Sequence, residues 1–268
     1  MVIPTHDRSE LLAEALQSVL LQTVQDFEVI VVDDGGSTGI LPVEDPRLHL
    51  IVQAHSGAAA ARNKGIQAAR GEFVTFLDDD DVFTPDRLQL ALDGLRQAPI
   101  ALCWKAALLT GDLRWCRTLI GPIAGLILEG PVPQLGSAAV RRDLVLPMEP
   151  SMRASEDVEW WLRMSEIGDV YTVPQVGYLI RDHQGVRLRD NVELRLEERL
   201  HLLSMHAMYF QDHPRAASYQ WRRAAGLAGS LRLWRGALLY GARSIVVRRP
   251  RFQRRRRRYG PSEGQGGP

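Results

Sequence analysis

Short hydrophobic runs alternate with amphipathic stretches through the first two thirds of the chain. Phe27 to Val32 is a β-branched run followed by Asp33-Asp34-Gly35-Gly36, a pattern typical of a buried parallel strand that ends in a turn. His49 to Ala54 and Phe73 to Leu77 are predicted to be further strands, and Val2-Ile3 a short first strand. Strands that alternate with helices at this spacing predict a βαβ sheet.

The segments between these strands have helical periodicity. Hydrophobic residues recur at helical spacing from residue 11 to 20, and Gly57 to Arg70 is an alanine-rich helical stretch. Arg87 to Gln97 is amphipathic, and a further helix is predicted from Glu156 to Ile167 with Ser155 as its N-cap. The sequence therefore predicts an α/β fold.

The character of the chain changes towards its C-terminus. Val170 to Val173 and Tyr178 to Ile180 are predicted to be the last strands. Beyond Val192 the pattern is helical and rich in Leu, Ala and Arg, and it loses its periodicity after Arg248. The expected organisation is an α/β domain, a helical region and a basic, disordered tail, at residues 1–190, 191–247 and 248–268.

The composition is that of an ordinary globular protein. Of the 268 residues, 45% are hydrophobic and 24% are charged, so the chain can bury one substantial core. Cys103 and Cys116 show neither the spacing of a metal knuckle nor the number of a disulfide framework. The N-terminus lacks the apolar core of a signal peptide, and no apolar run is long enough to cross a bilayer. We therefore expect a cytoplasmic protein.

A formal net charge of +1 conceals a strong asymmetry. Residues 241–268 contain nine Arg and one Glu, whereas residues 1–240 carry a net charge of −7. Because basic clusters attract anionic lipid, the tail predicts peripheral contact with an anionic membrane on its inner, cytoplasmic face. The alternative is a solvated tail beside a helical hairpin that covers the core. The hydrophobic residues expected at the membrane are Trp221, Leu227, Leu231, Leu233, Trp234, Leu238 and Leu239.

Acidic residues come directly after two of the predicted strands. Asp33-Asp34 and the run Asp78 to Asp81 both occupy carboxyl ends of strands, which is where open α/β sheets bind ligands. Two acidic clusters at one sheet edge repel each other unless a cation bridges them, and Mg2+ or Mn2+ binds carboxylate oxygens together with phosphates. The structural alternative is that these acids cap turns and helices.

Several motifs stand in order between residues 2 and 183. They are Val2-Ile3-Pro4-Thr5-His6-Asp7-Arg8, the segment from Phe27 to Thr38, Ala61-Arg62-Asn63-Lys64-Gly65, the segment from Ala69 to Asp81 with Pro85-Asp86-Arg87-Leu88, and the segment from Ser155 to Arg163. In this order and spacing the chain resembles family 2 glycosyltransferases of the GT-A fold. The resemblance implies a Rossmann-like mixed sheet with helices on both faces, here with a C-terminal helical extension.

The resemblance also implies where the donor binds. Thr5, His6 and Arg8 belong to the loop that holds the nucleoside, and Asp34 reads the base. His6 stands where the family usually has Tyr, so stacking on the base stays possible in a weaker form. Arg62 is placed close enough to the donor to balance phosphate charge, whereas a solvated helix face is its structural alternative.

In the family the first aspartate of the D-x-D pattern faces the ribose and the last binds the metal. The corresponding residues here are Asp78, with Asp79 sharing its role, and Asp80 as the metal ligand, while Asp81 is expected only to cap the next segment. His183 stands after the last predicted strand, where some members place a metal or diphosphate ligand.

Asp157 matches the general base of the family. A positioned carboxylate can take the proton of an attacking acceptor hydroxyl, and attack opposite the leaving group inverts the anomeric carbon. The alternative is that Glu156 and Asp157 only stabilise the N-terminus of their helix. Both roles are compatible, because a helix start holds a carboxylate rigidly.

The expected function is a metal-dependent inverting glycosyltransferase that takes a sugar from a nucleoside diphosphate sugar, with a UDP-sugar as the base-rate choice. The acceptor is expected to be a hydroxyl of a glycan, a lipid-linked glycan or a small molecule, as in the synthesis of cell-envelope polysaccharide. A metal-dependent nucleotidyltransferase is the closest rival, because it also needs carboxylates and a nucleotide. A nucleic-acid-binding protein would use the Arg tail, but it leaves the acidic strand ends unexplained, so no nucleic-acid partner is expected.

Overall fold

The computed structural model describes residues 1–36, 41–124, 126–182 and 190–246. Within these residues, ten strands form the sheets. They are β1 (Val2–Thr5), β2 (Val29–Asp34), β3 (Leu48–Gln53), β4 (Phe73–Thr75), β5 (Val82–Phe83), β6 (Ile100–Ala107), β7 (Leu113–Trp115), β8 (Ile120–Gly121), β9 (Ala138–Arg141) and β10 (Val170–Ile180).

The described residues also form eight α-helices, together with short 3-10 helices at Leu126–Glu129 and Leu135–Ser137. The α-helices are α1 (Ser9–Leu20), α2 (Ala58–Ala68), α3 (Arg87–Leu95), α4 (Glu156–Met164), α5 (Val192–Met205), α6 (Ala207–Asp212), α7 (Pro214–Ser230) and α8 (Trp234–Val246).

Strand order makes the sheet mixed and creates a switch point. β1, β2 and β3 pair in parallel in that order, while β4 lies on the other side of β1 and meets it through the bridge between Val2 and Phe76. Beyond β4 the order is β9, β6, β10 and β5, with parallel pairing only between β6 and β10. The chain therefore leaves β1 in one direction to β2 and returns on its other side at β4.

Alternate residues of the parallel strands enter two different layers of the core. Val2 and Ile30 pack in the cluster on the side of α2 and α4, whereas Ile3 and Val31 pack on the side of α1 and α3. Because side chains alternate between the faces of a strand, a strand covered on both faces is hydrophobic throughout. Helices cover both faces, so the α/β architecture with helices on two sides of a mixed sheet is confirmed.

One strand differs from the prediction. The two short strands expected after Val170 are a single strand, β10, whose pairing with β6 shifts register between Val173 and Tyr178. Pro174 lies inside this interval and has no N–H to donate to the ladder, which accounts for the interruption. The sequence pattern therefore predicted the interruption in pairing but not that a single strand continues across it.

The C-terminal helices pack on the α/β part of the chain. Ala216 and Ala217 of α7 and Phe210 of α6 join the core cluster that contains Trp160 and Trp161 of α4. The helical extension expected from the sequence is thus present, and its division from residues 1–190 as a separate domain stays a prediction. No helix in the part of the chain that the structure describes is long and apolar enough to span a membrane.

Candidate active site

A cleft of about 800 Å³ opens at the switch point, where β1 and β4 end side by side. Such a crevice outside the carboxyl ends of the strands is the usual ligand site of an open α/β sheet. It contains each expected donor residue and Asp80, the expected metal ligand. The lining residues are Pro4, Thr5, His6, Arg8, Asp34, His55, Ser56, Gly57, Ala58, Ala59, Arg62, Asp78, Asp79, Asp80, Pro150, Met152 and Arg153.

At one end of the cleft, the Asp34 carboxylate organises the start of α2. It accepts hydrogen bonds from the backbone amides of Ser56 and Gly57, at 2.8 and 2.7 Å, and from the Gln53 side chain at 2.7 Å. Burial raises the pKa of Asp34, but these hydrogen bonds outweigh it and keep that pKa below its ordinary value. Asp34 is therefore an anion that both lines the cleft and fixes its wall.

Two histidine rings stand at the same end. His6 and His55 both place Nδ1 near the Asp34 carbonyl oxygen, at 2.9 and 3.0 Å, and their ring centroids lie 4.6 Å apart. Both side chains are exposed, with 46% and 66% of their area accessible. The sequence prediction singled out His6 alone, because His55 lies outside the recognised motifs, although its position just after β3 was a usable signal.

The loop after β1 is tied to the aspartate run. Thr5 donates to Asp79 at 2.8 Å, and one Arg8 nitrogen lies 3.1 Å from both Asp79 and Asp80. Asp79 is almost completely buried, and this burial raises its pKa although Thr5 and Arg8 act in the opposite direction. The structure thus brings the loop and the run together as the sequence predicts.

Arg62 bridges two acidic groups from different parts of the chain. It donates to Asp78 at 2.7 Å and to Glu156 at 3.0 Å, and only 7% of its side chain is exposed. Its Nε has no hydrogen-bond partner among the described residues. The solvated-face alternative for Arg62 is therefore wrong. Burial is the main cause that raises the pKa of Glu156 to about 7; the charge of Arg62 opposes this shift and the charge of Asp157 adds to it.

Two other residues of the Ala-Arg-Asn-x-Gly motif shape the cleft through packing. Asn63 donates to the Met148 carbonyl at 2.8 Å and accepts from the Met148 amide at 2.6 Å, which braces the segment that leads to the cleft wall at Pro150. A Cβ added to Gly65 would lie 2.3 Å from a Val2 methyl carbon. Gly65 therefore lets α2 approach β1 closely.

Asp81 does more than cap the next segment, so that expectation is wrong. It is buried and accepts hydrogen bonds from the Tyr178 hydroxyl and, at 2.8 Å, from the Arg181 amide. These contacts tie the residue just before β5 to the C-terminal end of β10. Burial and the neighbouring charge of Asp78 raise the pKa of Asp81 to about 7.

The aspartate run has the donor set of a cation site. Asp78, Asp80 and Asp81 each offer a carboxylate oxygen, and the three oxygens lie within 4.8 Å of one another. All-oxygen sets of this kind suit Mg2+ or Mn2+ rather than softer metals. His183, the other expected ligand, lies outside the described residues.

Asp157 lies at the start of α4, next to the Arg62 partner Glu156. Its Oδ1 accepts from the Val158 amide at 2.7 Å, and the side chain is half-buried. Burial raises the pKa of Asp157, whereas the positive charges of Arg62 and Arg199 lower it. It is not among the residues that line the cleft, and its neighbour Glu156 is joined to the cleft through Arg62.

One further polar pair faces this region from the sheet. Lys105 on β6 donates to Gln134 at 2.6 Å, and burial lowers its pKa although Asp81 and Asp157 act to raise it. Lys105 lies outside the motifs, and only its charge within a hydrophobic strand marked it in the sequence.

A comparison with protein families identifies the N-terminal part of the chain. Residues 1–110 match the model of the family described as glycosyl transferase family 2. This part of the chain is a family 2 glycosyltransferase domain. The resemblance predicted from the motifs is confirmed.

Relatives and solved structures agree with this assignment. An uncharacterized glycosyltransferase of Rickettsia felis is 37% identical over 97 residues, which cover 34% of this chain and 16% of that protein. The putative colanic acid biosynthesis glycosyl transferase WcaA of Escherichia coli is 28% identical over 204 residues, 68% of this chain and 72% of that protein. The chain thus covers about one sixth of the rickettsial protein.

The chain also shares its fold with solved structures. TarS 1-349 of S. aureus, crystallised with UDP-GlcNAc, superposes on this chain with a TM-score of 0.61 at 17% identity. The match covers 92% of this chain and 89% of the TarS chain. The mannosyltransferase PcManGT from Pyrobaculum calidifontis, in complex with GDP-Man and Mn2+, has a TM-score of 0.54 at 18% identity, with coverages of 91% and 85%. The GT-A fold is confirmed.

Proposed function

We propose that this protein transfers a sugar from a nucleoside diphosphate sugar to an acceptor hydroxyl, with inversion at the anomeric carbon. The observation that carries the proposal is the cleft at the switch point of a family 2 domain, where Asp34, Arg62 and the aspartate run converge. The solved relative TarS binds UDP and UDP-GlcNAc, which supports a UDP-sugar. WcaA and the succinoglycan protein ExoW of Rhizobium meliloti act in polysaccharide biosynthesis by their names, which supports a glycan acceptor.

The residues of the cleft divide the work between donor and acceptor. Asp34, His6 and Thr5 would hold the nucleoside at one end, while Arg62 and Arg8 bring positive charge to the diphosphate. Asp157 would accept the acceptor proton as the hydroxyl attacks. Because burial raises the pKa of Asp157, it is a stronger base than an exposed aspartate would be.

Asp78, Asp80 and Asp81 would hold a divalent ion, and Asp79 would support Asp78 at the ribose. The four carboxylates stand in succession, and burial raises the pKa values of Asp79 and Asp81 by disfavouring their charged forms. A divalent ion would stabilise these groups as carboxylates and, when bound, would stabilise the negative charge of a leaving diphosphate as a Lewis acid. The Mn2+ complex of PcManGT supports the same cofactor.

A thermal-shift panel of UDP and GDP with and without Mn2+ tests the site. We expect a nucleoside diphosphate and Mn2+ to stabilise the parent together and Asp80→Ala to lose this effect. Turnover of a UDP-sugar should release UDP and be abolished in Asp157→Asn. Release of pyrophosphate from a nucleoside triphosphate instead would identify a nucleotidyltransferase, and equal stabilisation of Asp80→Ala and parent would remove Asp80 from the site.

We also propose that the C-terminal part contacts an anionic membrane, and that the exposed face of helix α8 makes this contact. Its inner face carries small residues and Tyr240, while its outer face exposes Trp234, Leu238, Leu239 and Ile245, at 65, 76, 52 and 68%. Residues 213–262 contain fourteen Arg and neither Asp nor Glu. An outward apolar face within a stretch of sequence whose charged residues are all Arg suits anionic lipid.

The structure also narrows which residues can reach lipid. Trp221 stacks on Tyr240 and Leu227 is buried beside α8, so the expectation that both lie at the membrane is wrong. Sedimentation with phosphatidylglycerol vesicles should weaken roughly tenfold in Leu238→Asp, since about 1.5 kcal/mol or more of side-chain burial is lost. Leu109→Asp, at a residue 81% exposed on the hairpin of β6 and β7, is the matched control. Unchanged vesicle binding of Leu238→Asp would overturn the proposal. A parent protein that is a dimer and a Leu238→Asp variant that is a monomer would also overturn it, because the outer face of α8 would then be a contact between two copies of the chain.

A further inference from the structure

Helix α5 is hydrogen-bonded to the segment that precedes Asp157. Glu198 on α5 is 5% exposed, and its two carboxylate oxygens accept from the backbone amides of Arg153 and Ala154, at 2.7 and 2.9 Å. These amides lie just before Ser155, the N-cap residue of α4. Hydrogen bonds from amides to a carboxylate are about twice as strong as neutral ones, so Glu198 holds this backbone firmly.

A second contact joins the end of α5 to α4 itself. His206, at the end of α5, lies 2.9 Å from the carboxylate of Glu159, which is 1% exposed and also pairs with Arg163 at 2.6 Å. Glu159 comes two residues after Asp157. Helix α4 is therefore held by α5 both before and after Asp157.

A third residue brings charge rather than a direct contact. Arg199, next to Glu198, is buried, and its guanidinium donates to Gln220 of α7, which in turn donates to the Leu128 carbonyl at 3.1 Å. Its positive charge acts on Asp157 and favours the carboxylate form. Helices α5 and α7 thus hold a cation beside the proposed base.

We propose that α5 is a positioning element of the active site, with Glu198 and His206 as positioning residues that fix the direction of Asp157. This inference rests on the proposed function, because it needs Asp157 as the base. It assigns a role in positioning the base to α5, a helix that also contributes Leu202 and Leu203 to the core.

The contacts predict an effect on turnover rather than on donor affinity. Glu198→Gln keeps the size of the side chain but replaces one carboxylate oxygen by an NH2 group. That group is a hydrogen-bond donor, so it cannot accept from the backbone N–H that it faces. Displacement of a reacting group by about 1 Å can cost roughly 100-fold in rate, so we expect kcat to fall 10- to 100-fold. The KM for the donor should stay within about twofold, because Asp34, Arg62 and the aspartate run keep their contacts.

Glu197→Gln is the matched control, since it makes the same change one position earlier on the exposed side of α5. It should keep the parent kcat. At the second contact, His206→Ala should lower kcat several-fold, and His206→Gln, whose amide can still donate to Glu159, should recover most of it. His206 is only partly buried, so these variants answer the question even if Glu198→Gln does not fold.

Asp157→Asn, measured in parallel, separates this inference from the proposed function. If Asp157→Asn is inactive while Glu198→Gln and His206→Ala turn over like the parent, α5 does not position the base and the proposed function stands. If Asp157→Asn retains the parent kcat, the assignment of the base is wrong and the inference falls with it. A rise in donor KM that matches the loss of kcat in Glu198→Gln would reveal a general structural defect and would also overturn it.

Discussion

Replacement of Arg62 by methionine should destabilise the protein in a way that depends on pH. Arg62 is the cation between Asp78 and Glu156, at 2.7 and 3.0 Å, and it is almost completely buried. Methionine fills similar space without charge, so both carboxylates lose their partner while packing changes little. The variant therefore isolates the electrostatic contribution of this bridge.

The magnitude depends on the environment of Glu156. Removal of one partner from a buried ion pair costs about 3–5 kcal/mol, because a charge is left buried and unpaired. Asp78 has 31% of its side chain exposed and can regain water, whereas Glu156 has 15%. We therefore expect about 3 kcal/mol at pH 8.5, at the lower end of that range.

The pH dependence has a defined sign. The pKa of Glu156 is raised from 4.5 to about 7 in the folded protein, so its contribution to stability is complete below pH 4.5 and is lost as pH rises through 7. Without Arg62 that pKa is higher still, and the variant continues to lose stability above pH 7 where the parent does not. At pH 5 Glu156 is protonated in both proteins, so the cost should shrink to about 1–2 kcal/mol, the value of lost hydrogen bonds.

Urea unfolding of parent and variant at pH 5, 7 and 8.5, without nucleotide or divalent metal, measures this difference. Arg96→Met is the control, because Arg96 is 70% exposed and pairs with Asp93 on the surface of α3. It should cost at most about 0.5 kcal/mol at each pH. A cost for Arg62→Met that is equal at pH 5 and 8.5, or larger at pH 5, would refute the assignment of Glu156 as its critical partner.

Three further changes test other parts of the cleft. Asn63→Ala removes both hydrogen bonds to the Met148 backbone and should cost about 1–3 kcal/mol in urea unfolding, with a raised donor KM, and a neutral result would show that this brace is dispensable. His6→Ala should raise the donor KM several-fold at constant kcat in steady-state kinetics, and a fall in kcat alone would contradict a role in binding. Gly65→Ala should lower the melting temperature, because the new Cβ meets Val2 at 2.3 Å, and an unchanged value would show that α2 can shift freely.

The predictable part of the site lies next to the strands in sequence. Thr5, Asp34 and Asp80 each stand at or just after the end of a strand that borders the switch point, and parallel strands end at one edge. The hydrophobic pattern locates those strands, so it also locates the residues after them. This is why the cleft contains every expected donor residue although the bounds of most elements moved by one to three positions.

Partners that are distant in sequence could not be predicted. Arg62 and Glu156 are separated by 94 residues, and Arg153 and Glu198 by 45, so neither pairing leaves a local pattern. A buried carboxylate in an amphipathic helix has the same periodicity as an exposed one, and only packing decides which it is. The contact of Glu198 with Arg153 therefore could not be predicted without the three-dimensional structure, and the same holds for the hydrogen bond from Tyr178 to Asp81.

The raised pKa values at the aspartate run imply a link between metal binding and donor binding. Asp79 and Asp81 have raised pKa values, and burial is the largest cause in each case, with neighbouring acids adding to it. Because burial disfavours their charged forms, a nearby cation would stabilise these groups as carboxylates. If the run holds a divalent ion, as we propose, that ion would also attract the diphosphate of the donor. Each ligand would then raise the affinity for the other by the same factor.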